Sequence, residues 1–448
     1  MEDKAREIIE ITKAQGVQFI DLQFTDIFGT TKSVTIPSDG LEEALDRGIW
    51  FDGSSIQGFA RIQESDMFLQ PDPVTYRILP WTGNGDQSAL RARIICDVHN
   101  PDGSPFEGDP RYALKRAMAN AAELGVVYNT GPELEFFLFR SDGNGTAPVP
   151  HDVGGYFDFS PGDEAQRVRS DIVEALQALR IHVEMSHHEV AVGQHEIDFR
   201  YANALHSADN SITFKYAVKG VAAKHNLFAT FMPKPVFGIN GSGMHVHQSL
   251  IDPNGKNVFY DSAGEFMLSK MARHFVAGQL VHARAMAAVV APTVNSYKRL
   301  TPGYEAPVYV CWAQRNRSAL IRVPRYSPGR EQSTRVELRF PDPSCNPYLA
   351  FAVMLEAGLD GIKRELEPPP SVSDDVFHWT PEEREANGVD VLPGTLEEAL
   401  NELAHDEIAR CALGEHIYRA YDRAKRAEWD EYRIHVSEWE KARYLRTL

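Results

Sequence analysis

The sequence predicts an α+β protein with a small, β-rich N-terminal domain and a larger C-terminal domain. Its 448 residues are enough for more than one domain at roughly 100–200 residues each. Strand patterns dominate the first hundred residues, and after them strand and helix patterns alternate. The polar stretch Asn100–Pro105 separates the two regions, so we place the domains at residues 1–103 and 104–448.

The N-terminal region predicts a helix followed by short strands. Residues 1–16 are charged and amphipathic, which is typical of a surface helix and not of a signal peptide. Residues 19–24 and 33–37 predict two strands around a glycine-containing turn. A glycine-rich loop at 51–59 and a strand at 92–98 complete the predicted domain.

The C-terminal region predicts a series of helices between strands. Asp109 is a suitable N-cap and Pro110 fits the first helical position, so we expect a helix to begin there. This helix runs to about Leu124 and ends at Gly125. Further helices are predicted near residues 164–180, 207–224, 265–290, 346–366, 395–405 and 407–440.

The composition disfavours several classes of function. The chain carries 46 Lys and Arg against 63 Asp and Glu, a net charge of −17, so we expect no general binding to nucleic acid or to anionic membranes. No apolar run approaches the roughly 18 residues of a transmembrane helix. The cysteines lack CxxC spacing, which indicates a reducing, cytoplasmic location without a disulfide framework; they are Cys96, Cys311, Cys345 and Cys411.

Four predicted strands carry ionisable residues on one face and apolar residues on the other. Alternation places Glu133 and Glu135 on one face of a strand, and His245 and His247 on one face of another. The other charged positions are Glu189 and Glu196, which flank a glycine-containing loop, and Glu337, which lies between Arg335 and Arg339. One such strand is explained by a solvated charged face. Four of them predict a shared buried site.

The predicted site suits two divalent cations held mainly by oxygen. Five carboxylates contribute −5, and two divalent cations bring the site to −1, which favours Mg²⁺ or Mn²⁺ over structural zinc. The chain also supplies cations that can clamp carboxylate or phosphate groups. They are Arg299, Arg315, Arg317, Arg322, Arg335 and Arg339.

These residues lie in motifs that identify a family. The chain resembles type I glutamine synthetase over essentially its whole length, and the motifs occur in the family's order. The motifs are Asp52–Ser55, Gly131–Glu135, His188–Ala191, Gly193–Glu196, Asn240–His245, Lys298–Pro307, Asn316–Ala319 and Arg335–Arg339. Each is a short string, but the whole set is very specific.

The resemblance implies both a fold and a reaction. The implied fold is an N-terminal β-grasp-like domain followed by a catalytic domain whose curved antiparallel sheet carries the metal ligands. The implied reaction joins ammonia to glutamate with ATP, through γ-glutamyl phosphate, and yields glutamine, ADP and phosphate. It also implies two Mg²⁺ or Mn²⁺ ions per active site. The implied assembly is a dodecamer of two stacked hexameric rings, with active sites shared between subunits.

The resemblance further implies the metal ligands and the catalytic residues. The cation that orders glutamate would be held by Glu135, Glu189 and Glu196. The cation that bridges the nucleotide phosphates would be held by Glu133, His245 and Glu337. The residues implied to act in catalysis are Asp52, which takes a proton from ammonium, Glu305 on a closing flap, and Arg322 at the phosphate.

Substrate contacts follow from the same resemblance. Glutamate would be bound by Asn240, Gly241, Arg299, Glu305 and Arg339. Ammonium would be bound by Asp52, Ser55, Tyr156 and Glu189. ATP and phosphate would be contacted by His247, Ser249, Arg317, Arg322 and Arg335.

The chain departs from the enterobacterial pattern of the family at two places. The segment between Arg322 and Arg335 is two residues longer, and a nucleotide-contacting lysine is not obvious there; Arg330 is a candidate substitute. Phe377 occupies the position of the tyrosine that is adenylylated in one subtype. The chain therefore resembles the alpha subtype, in which Arg61 matches a position linked to glutamine feedback.

Two alternative functions remain open at this point. A glutamate–amine ligase of the same family would join glutamate to a polyamine, and it would relax the ammonium site. Asp52, Ser55 and Tyr156 are all present, which favours ammonia. A non-enzymatic relative should have lost metal ligands, and this chain keeps all six.

Overall fold

The strands of the described residues form two separate sheets. The computed structural model describes residues 2–56, 58, 66–83, 89–140, 149–159, 164–304, 306–316, 318–374 and 376–448. Within these residues, one sheet has six strands and lies in the N-terminal region, and the other has eleven strands and lies in the C-terminal region. Helices pack against both sheets, so the predicted α+β class is confirmed.

The N-terminal sheet surrounds a small apolar core. Its elements are α1 (Glu2–Gln15), β1 (Phe19–Thr25), β2 (Thr31–Pro37), α2 (Leu41–Arg47), β3 (Ile49–Asp52), β4 (Asp66–Pro71), β5 (Arg77–Ile78) and β6 (Arg91–His99). The strand order is β2-β1-β6-β4-β3, with β5 on β6, and β1 runs parallel to β6. Ile20, Leu22 and Ile94 are fully buried, and Ile8 of α1 packs in the same core.

The predicted N-terminal hairpin is confirmed, whereas the predicted glycine-rich loop begins too early. Asp26 Oδ1 accepts hydrogen bonds from two backbone N–H groups of the turn, at 3.0 and 2.9 Å, which fixes the turn between β1 and β2. Phe51 and Asp52, which we assigned to the loop, instead end β3, where Asp52 pairs with Asp66 of β4. The sequence pattern does not reveal that β4 is available as a partner for these two residues.

The C-terminal sheet is organised around one long strand. Its strands are β7 (Val127–Arg140), β8 (Val149–Pro150), β9 (Val183–His188), β10 (Gln194–Phe199), β11 (Ala202–Asn203), β12 (Leu227–Thr230), β13 (Met244–Ile251), β14 (Tyr309–Ala313), β15 (Ala319–Arg322), β16 (Val336–Leu338) and β17 (Asp390–Val391). The order is β17-β14-β15-β16-β13-β7-β10-β9. Strand β7 also pairs with β8, β11 and β12, so it lies at the centre of the sheet.

Within the described residues the C-terminal region has twelve α-helices, several of which pack on its sheet. They are α3 (Pro110–Glu123), α4 (Glu164–Ala178), α5 (Ala204–Lys224), α6 (Lys270–Val281), α7 (Ala283–Val290), α8 (Ser296–Arg299), α9 (Pro347–Lys363), α10 (Pro381–Ala386), α11 (Leu396–His405), α12 (Glu407–Leu413), α13 (Glu415–Arg433) and α14 (Glu438–Tyr444). Helix α9 is buried along most of its length and contacts α3, α6 and α12. None of the helices in the described part of the chain has both the length and the apolar composition that a bilayer span requires.

Two predicted helices are each divided into shorter ones. The segment 265–290 consists of a short 3-10 turn, α6 and α7, with an interruption at His282. The segment 407–440 is divided because Gly414 adopts a φ of 78° and Ser437 starts a new helix with a capping box. The short helices α2, α8 and α10 are missed by the sequence pattern because they contain seven residues or fewer.

His282 lies between the two helices, and both of its ring nitrogens contact carboxylates. Nδ1 lies 2.6 Å from Asp406 Oδ2, and Nε2 lies 3.0 Å from Asp360 Oδ2. A carboxylate only accepts hydrogen bonds, so the ring donates from both nitrogens and carries a positive charge. Burial alone would lower the pKa of His282, but hydrogen bonds to Asp406 and Asp360 outweigh it and raise the pKa above 6.5. The ring therefore joins α6 and α7 to α9 and α12.

We predict that replacing His282 by Gln destabilises the protein in a pH-dependent way. Because the folded-state pKa is raised, the stabilisation by the charged ring is fully present below pH 6.5 and is lost as the pH rises through the folded-state pKa. Hydrogen bonds to charged groups are each worth about 2 kcal/mol. The thermal unfolding midpoint of His282→Gln should lie well below that of the wild type at pH 6, with a smaller gap at pH 9.

The exposed His405 provides the control for this measurement. Its Nδ1 lies 2.7 Å from the carbonyl oxygen of Asn401, and the side chain is exposed at the end of α11. His405→Gln should unfold like the wild type at both pH values. A gap for His282→Gln that stays constant or grows from pH 6 to pH 9 would contradict the assignment of a charged ring.

Candidate active site

The charged face of strand β7 lines a cavity inside the C-terminal sheet. Glu133 lies opposite His245 of β13, and Glu135 lies opposite Glu196 of β10. All four side chains line one open cavity of about 300 Å³. Glu135 and Glu196 are only 9% and 7% exposed, and Glu337, which joins them in the lining, is 1% exposed. The charged faces of these strands are therefore buried together, as the sequence predicts, instead of facing bulk solvent.

Three of the predicted metal ligands form a compact group. The ligand atoms of Glu133, His245 and Glu337 all lie within 4.8 Å of one another. His245 Nδ1 is 3.8 Å from Glu133 Oε2 and 3.8 Å from Glu337 Oε1. Glu337 reaches this position because β16 pairs with β13. Two carboxylates and one imidazole suit Mn²⁺ or Mg²⁺, which prefer oxygen ligands and accept an imidazole nitrogen.

Glu337 is held in its charged form. Burial alone would raise its pKa, but His247, His245 and the guanidinium groups of Arg322 and Arg339 lower the pKa below 4.5. Arg322 donates to Glu337 Oε2, and Arg339 Nε lies 3.3 Å from Oε1. The carboxylate is thus ionised and fixed in position, as a metal ligand must be.

The second predicted ligand set lines the same cavity but is less compact. Burial and the nearby charge of Glu189 raise the pKa of Glu135 to about 8. Burial and Glu135 likewise raise the pKa of Glu196 well above its ordinary value. His187 separates two of these carboxylates, with Nδ1 3.6 Å from Glu189 Oε1 and Nε2 3.4 Å from Glu196 Oε1. In this half of the cavity the negative charge of the carboxylates is not balanced by nearby positive charge, which favours uptake of a cation.

Fixed arginines face the carboxylates. Arg299 is 4% exposed and donates hydrogen bonds to the carbonyls of Phe340 at 2.8 Å, Pro341 at 3.1 Å and Arg339 at 3.2 Å. Arg322 and Arg339 both pair with Glu337. All three guanidinium groups line the cavity, so it offers positive charge beside the carboxylates.

A second cavity adjoins the first one. It has a volume of about 330 Å³ and is lined by the predicted nucleotide contacts His247, Ser249 and Arg335. Arg335 Nε donates to His247 Nδ1 at 3.1 Å, and Arg330 of the longer segment also lines this cavity. The two cavities share three lining residues, Glu133, Met185 and Asp198. A ligand in one cavity can therefore meet a ligand in the other beside Glu133.

The structure gathers several more of the predicted residues at the main cavity and leaves others elsewhere. Tyr156, Asn240 and Gly241 line it. Asp52 and Ser55 lie in the N-terminal region, and neither is among the described residues that line the cavity of their own chain. Asp52 is exposed, and its carboxylate accepts a hydrogen bond from Ser54 N at 2.8 Å. Three predicted residues, Arg61, Glu305 and Arg317, lie outside the described residues.

Sequence analysis assigned no role to Asp198 or Tyr304, although both line the cavity, and for His187 it favoured packing or support of a ligand over metal ligation. Asp198 and His187 form a close group with Glu196, and burial followed by the charge of Glu133 raises the pKa of Asp198 to about 7. Asp198 follows Glu196 by two residues on β10, so strand alternation could have identified it. Tyr304 also lines the cavity, and Lys234 Nζ lies 3.9 Å from its ring centroid. No sequence signal connects Lys234 with Tyr304, because the contact spans two distant segments.

Comparison with known proteins places the chain in a family. The family model "Glutamine synthetase, beta-Grasp domain" matches residues 16–101, and the model "Glutamine synthetase, catalytic domain" matches residues 107–444. The chain belongs to the glutamine synthetase family. The resemblance stated from the motifs is thereby confirmed, as are the N-terminal β-grasp domain and the sheet-based catalytic domain of that family.

Similar proteins cover the whole length of this glutamine synthetase family member. A glutamine synthetase of Clostridium saccharobutylicum is 55% identical over 98% of both chains. A glutamine synthetase of Methanosarcina mazei is 53% identical over 99% of this chain and 98% of its own. Among solved structures, a GmaS/ADP complex superposes with a TM-score of 0.88 at 33% identity, covering 98% of this chain and 99% of that one.

We predict that Glu337→Gln weakens divalent cation binding. The amide removes one ligand charge, and Gln is close in size to Glu. Loss of even an outer-shell partner typically costs about 10–100-fold in metal affinity, so loss of a ligand should cost at least about tenfold. Titration of metal-free protein with Mn²⁺, followed by electron paramagnetic resonance, measures the effect.

Glu331→Gln is the matched control, because Glu331 lies on the same segment and is exposed. Its Mn²⁺ affinity should equal that of the wild type. If Glu337→Gln binds Mn²⁺ as tightly as this control, Glu337 is not a metal ligand.

Proposed function

We propose that this member of the glutamine synthetase family joins ammonia to the γ-carboxylate of L-glutamate, with conversion of ATP to ADP and phosphate. One observation carries the proposal: two adjoining cavities meet at Glu133, one lined by carboxylates and fixed arginines and the other by His247, Ser249 and Arg335. Relatives at more than half identity over the full chain are named glutamine synthetase, which supports ammonia over a polyamine as the acceptor.

The first step activates a poor electrophile. The γ-carboxylate of glutamate would attack the γ-phosphorus of ATP, so that ADP leaves and γ-glutamyl phosphate forms. Arg299 and Arg339, with Asn240 and Gly241, are proposed to hold glutamate in line, since they line the main cavity. Arg322 lies beside Glu337 at the junction and is proposed to neutralise charge on the transferred phosphoryl group.

The second step needs ammonia in its neutral form. Ammonium dominates near neutral pH and is not a nucleophile, so a proton must be removed before nitrogen attacks the acyl carbon. The attacking nitrogen then loses a second proton as phosphate leaves and the amide forms. We assign attraction of ammonium to Ser55, Tyr156 and Glu189, and removal of its proton to Asp52. The intermediate would hydrolyse in water, so the flap around Glu305 is proposed to close the cavity that Tyr304 and Ala306 line.

Two divalent cations fit this arrangement, and we propose Mg²⁺ or Mn²⁺. Their chemistry is to neutralise the phosphates and the reacting carboxylate. Glu133, His245 and Glu337 form the compact ligand group. Glu135, Glu189 and Glu196 form the proposed second set, in which raised carboxyl pKa values indicate a deficit of positive charge. We further propose Arg330 and Arg317 as nucleotide contacts; Arg330 lines the second cavity.

We propose a dodecamer of two hexameric rings, located in the cytoplasm, with domains divided at residues 103 and 104. Asp52 does not line the described cavity of its own chain, which supports its donation to a neighbouring subunit. A head-to-tail ring allows every subunit to give one such loop and to receive another. For regulation we propose direct feedback by glutamine through Arg61, since Phe377 has no hydroxyl group to which a nucleotide could be attached.

Phosphate release from ATP tests the proposed function directly. With glutamate and Mg²⁺ present, ammonium should stimulate phosphate release, and polyamines or methylamine at the same concentration should stimulate it far less. A clear preference for an amine over ammonium would favour the glutamate–amine ligase instead. Absence of stimulation by every acceptor would point to a non-enzymatic member of the family.

We also predict that two inactive variants complement each other. Removal of a general base costs about 10²–10⁴-fold in rate, so Asp52→Ala should be nearly inactive, as should Glu337→Gln. Unfolded together and refolded as mixed oligomers, they should regain activity, because some interfaces then pair an intact Asp52 with an intact Glu337. Random pairing at a head-to-tail interface restores about a quarter of the sites.

Each variant refolded alone provides the control and should stay inactive. The activity is measured after mass spectrometry has verified that the oligomers contain both variants. Verified mixed oligomers without recovered activity would show that Asp52 serves its own subunit.

A further inference from the structure

A buried polar cluster lies behind the carboxylate-lined face of strands β9 and β10. Glu196 pairs with His187 on the cavity face, so the neighbouring pair His188 and His195 points to the opposite face. There Asp152 Oδ2 lies 3.0 Å from His188 Nε2 and 3.9 Å from His195 Nε2. The side chains of Asp152, His188 and His195 are 9%, 2% and 0% exposed, so water does not screen the cluster.

Hydrogen bonding argues against a metal ion in this cluster. His151, Asp152 and His195 have ligand atoms within 4.8 Å of one another, which is the spacing of a metal site. However, Arg169 Nη1 lies 3.0 Å from His195 Nδ1 and can only donate to it. A neutral His195 therefore carries its proton on Nε2, the atom that faces Asp152, and has no lone pair there for a cation. The guanidinium charge of Arg169 also opposes a second positive ion.

Asp152 instead ties together two segments that carry predicted ammonium contacts. Its Oδ1 accepts a hydrogen bond from Gly193 N at 2.8 Å, at the end of the loop that begins with Glu189. Its Oδ2 accepts from His188, whose Nδ1 in turn donates to the carbonyl of Glu189 at 2.6 Å. Both ends of the loop are therefore fastened to one carboxylate.

The segment that contains Asp152 also carries Tyr156. Phe157 N donates to the carbonyl of His188 at 3.0 Å, which holds this segment along the start of the same loop. The Tyr156 ring stands edge-on to His187, with centroids 5.8 Å apart. Gly154 allows the close approach, because a Cβ there would lie 2.7 Å from His188 Nε2. Movement at Asp152 would therefore displace Tyr156 relative to Glu189.

We propose that Asp152 is a positioning residue that sets the distance between Tyr156 and Glu189 and thereby the affinity for ammonium. The inference rests on the proposed function, in which these two side chains contact ammonium. Asp152 is not among the described residues that line the cavity, so its effect passes through the two segments it joins. A pocket for so small a cation depends on the spacing of its walls, because ammonium has no further groups by which it could be held.

Asp152→Ala tests the proposal through the separate Michaelis constants. Loss of a partner that orients metal ligands costs about 10–100-fold in affinity or activity, and by analogy the KM for ammonium should rise at least about tenfold. The KM for ATP should stay close to that of the wild type, since no described residue of this segment lines the second cavity. A purely structural role would lower the active fraction, and hence kcat, with every KM unchanged.

Two further variants make the test specific. Asp152→Asn can still accept from Gly193 N and donate an amide hydrogen to His188 Nε2, so it should restore most of the ammonium affinity. Asp171→Ala removes an exposed carboxylate of α4, which contacts His225 Nε2 at 2.7 Å, and it should leave the KM for ammonium unchanged. If Asp152→Ala does not fold, Gly154→Ala is the alternative. Its added methyl group would push the segment away from His188 and should also raise the KM for ammonium.

The outcomes separate this inference from the proposed function. Wild-type protein that ammonium does not stimulate would refute the proposed function, whatever the variants do. Active wild type combined with an unchanged KM for ammonium in folded Asp152→Ala, or in Gly154→Ala where the former does not fold, would overturn the positioning role alone. An equal rise in the Michaelis constants for ammonium and ATP would also overturn it, because it would show general distortion.

Discussion

The burial of carboxylates on the central strand of the large sheet is the constraint on which the rest of the structure depends. Among the described strands, β7 pairs with five others, yet its Glu135 is only 9% exposed and its Glu133 lines the same cavity. Buried charges that lack partners are strongly destabilising. Cationic residues lie close to them: β13, which pairs with β7, places His245 Nδ1 3.8 Å from Glu133 Oε2. Arg322 at the end of β15 and Arg339 just after β16 pair with Glu337 of the same cavity. The same arrangement leaves room for cations that the chain itself does not supply.

The division of the site into two cavities follows from that sheet. Glu133 borders both cavities, which in the proposed function is where a phosphoryl group would pass from nucleotide to acceptor. Its neighbours on the two sides differ in chemistry. Glu135 and Glu196 make one side acidic, whereas Arg335 with His247 makes the other side suited to phosphate. Phosphoryl transfer depends mainly on placement and charge neutralisation, and a rigid sheet provides both.

Buried polar residues behind the sheet and between the helices hold the strands and helices of the site in position. Asp152 fastens the loop of Glu189 from behind, and His282 joins α6 and α7 to two other helices. Arg111 has a similar role between the two sheets, since it pairs with Asp72, Asp97 and Asp209 while almost fully buried. Each of these residues satisfies several hydrogen bonds at once, which makes a polar network in a protein interior stable and specific.

The sequence by itself determined the α+β class, the family and the faces of strands that carry charge. Side chains alternate along a strand, so Glu133 and Glu135 share a face whatever surrounds them. The helix start at Asp109 and Pro110 likewise depends only on neighbouring residues in the sequence. Tertiary structure alone decided which charged faces meet, that Asp198 joins them, and that the His282 ring lies between Asp360 and Asp406. Such contacts join residues far apart in the chain, and local pattern contains no information about a partner that only folding brings near.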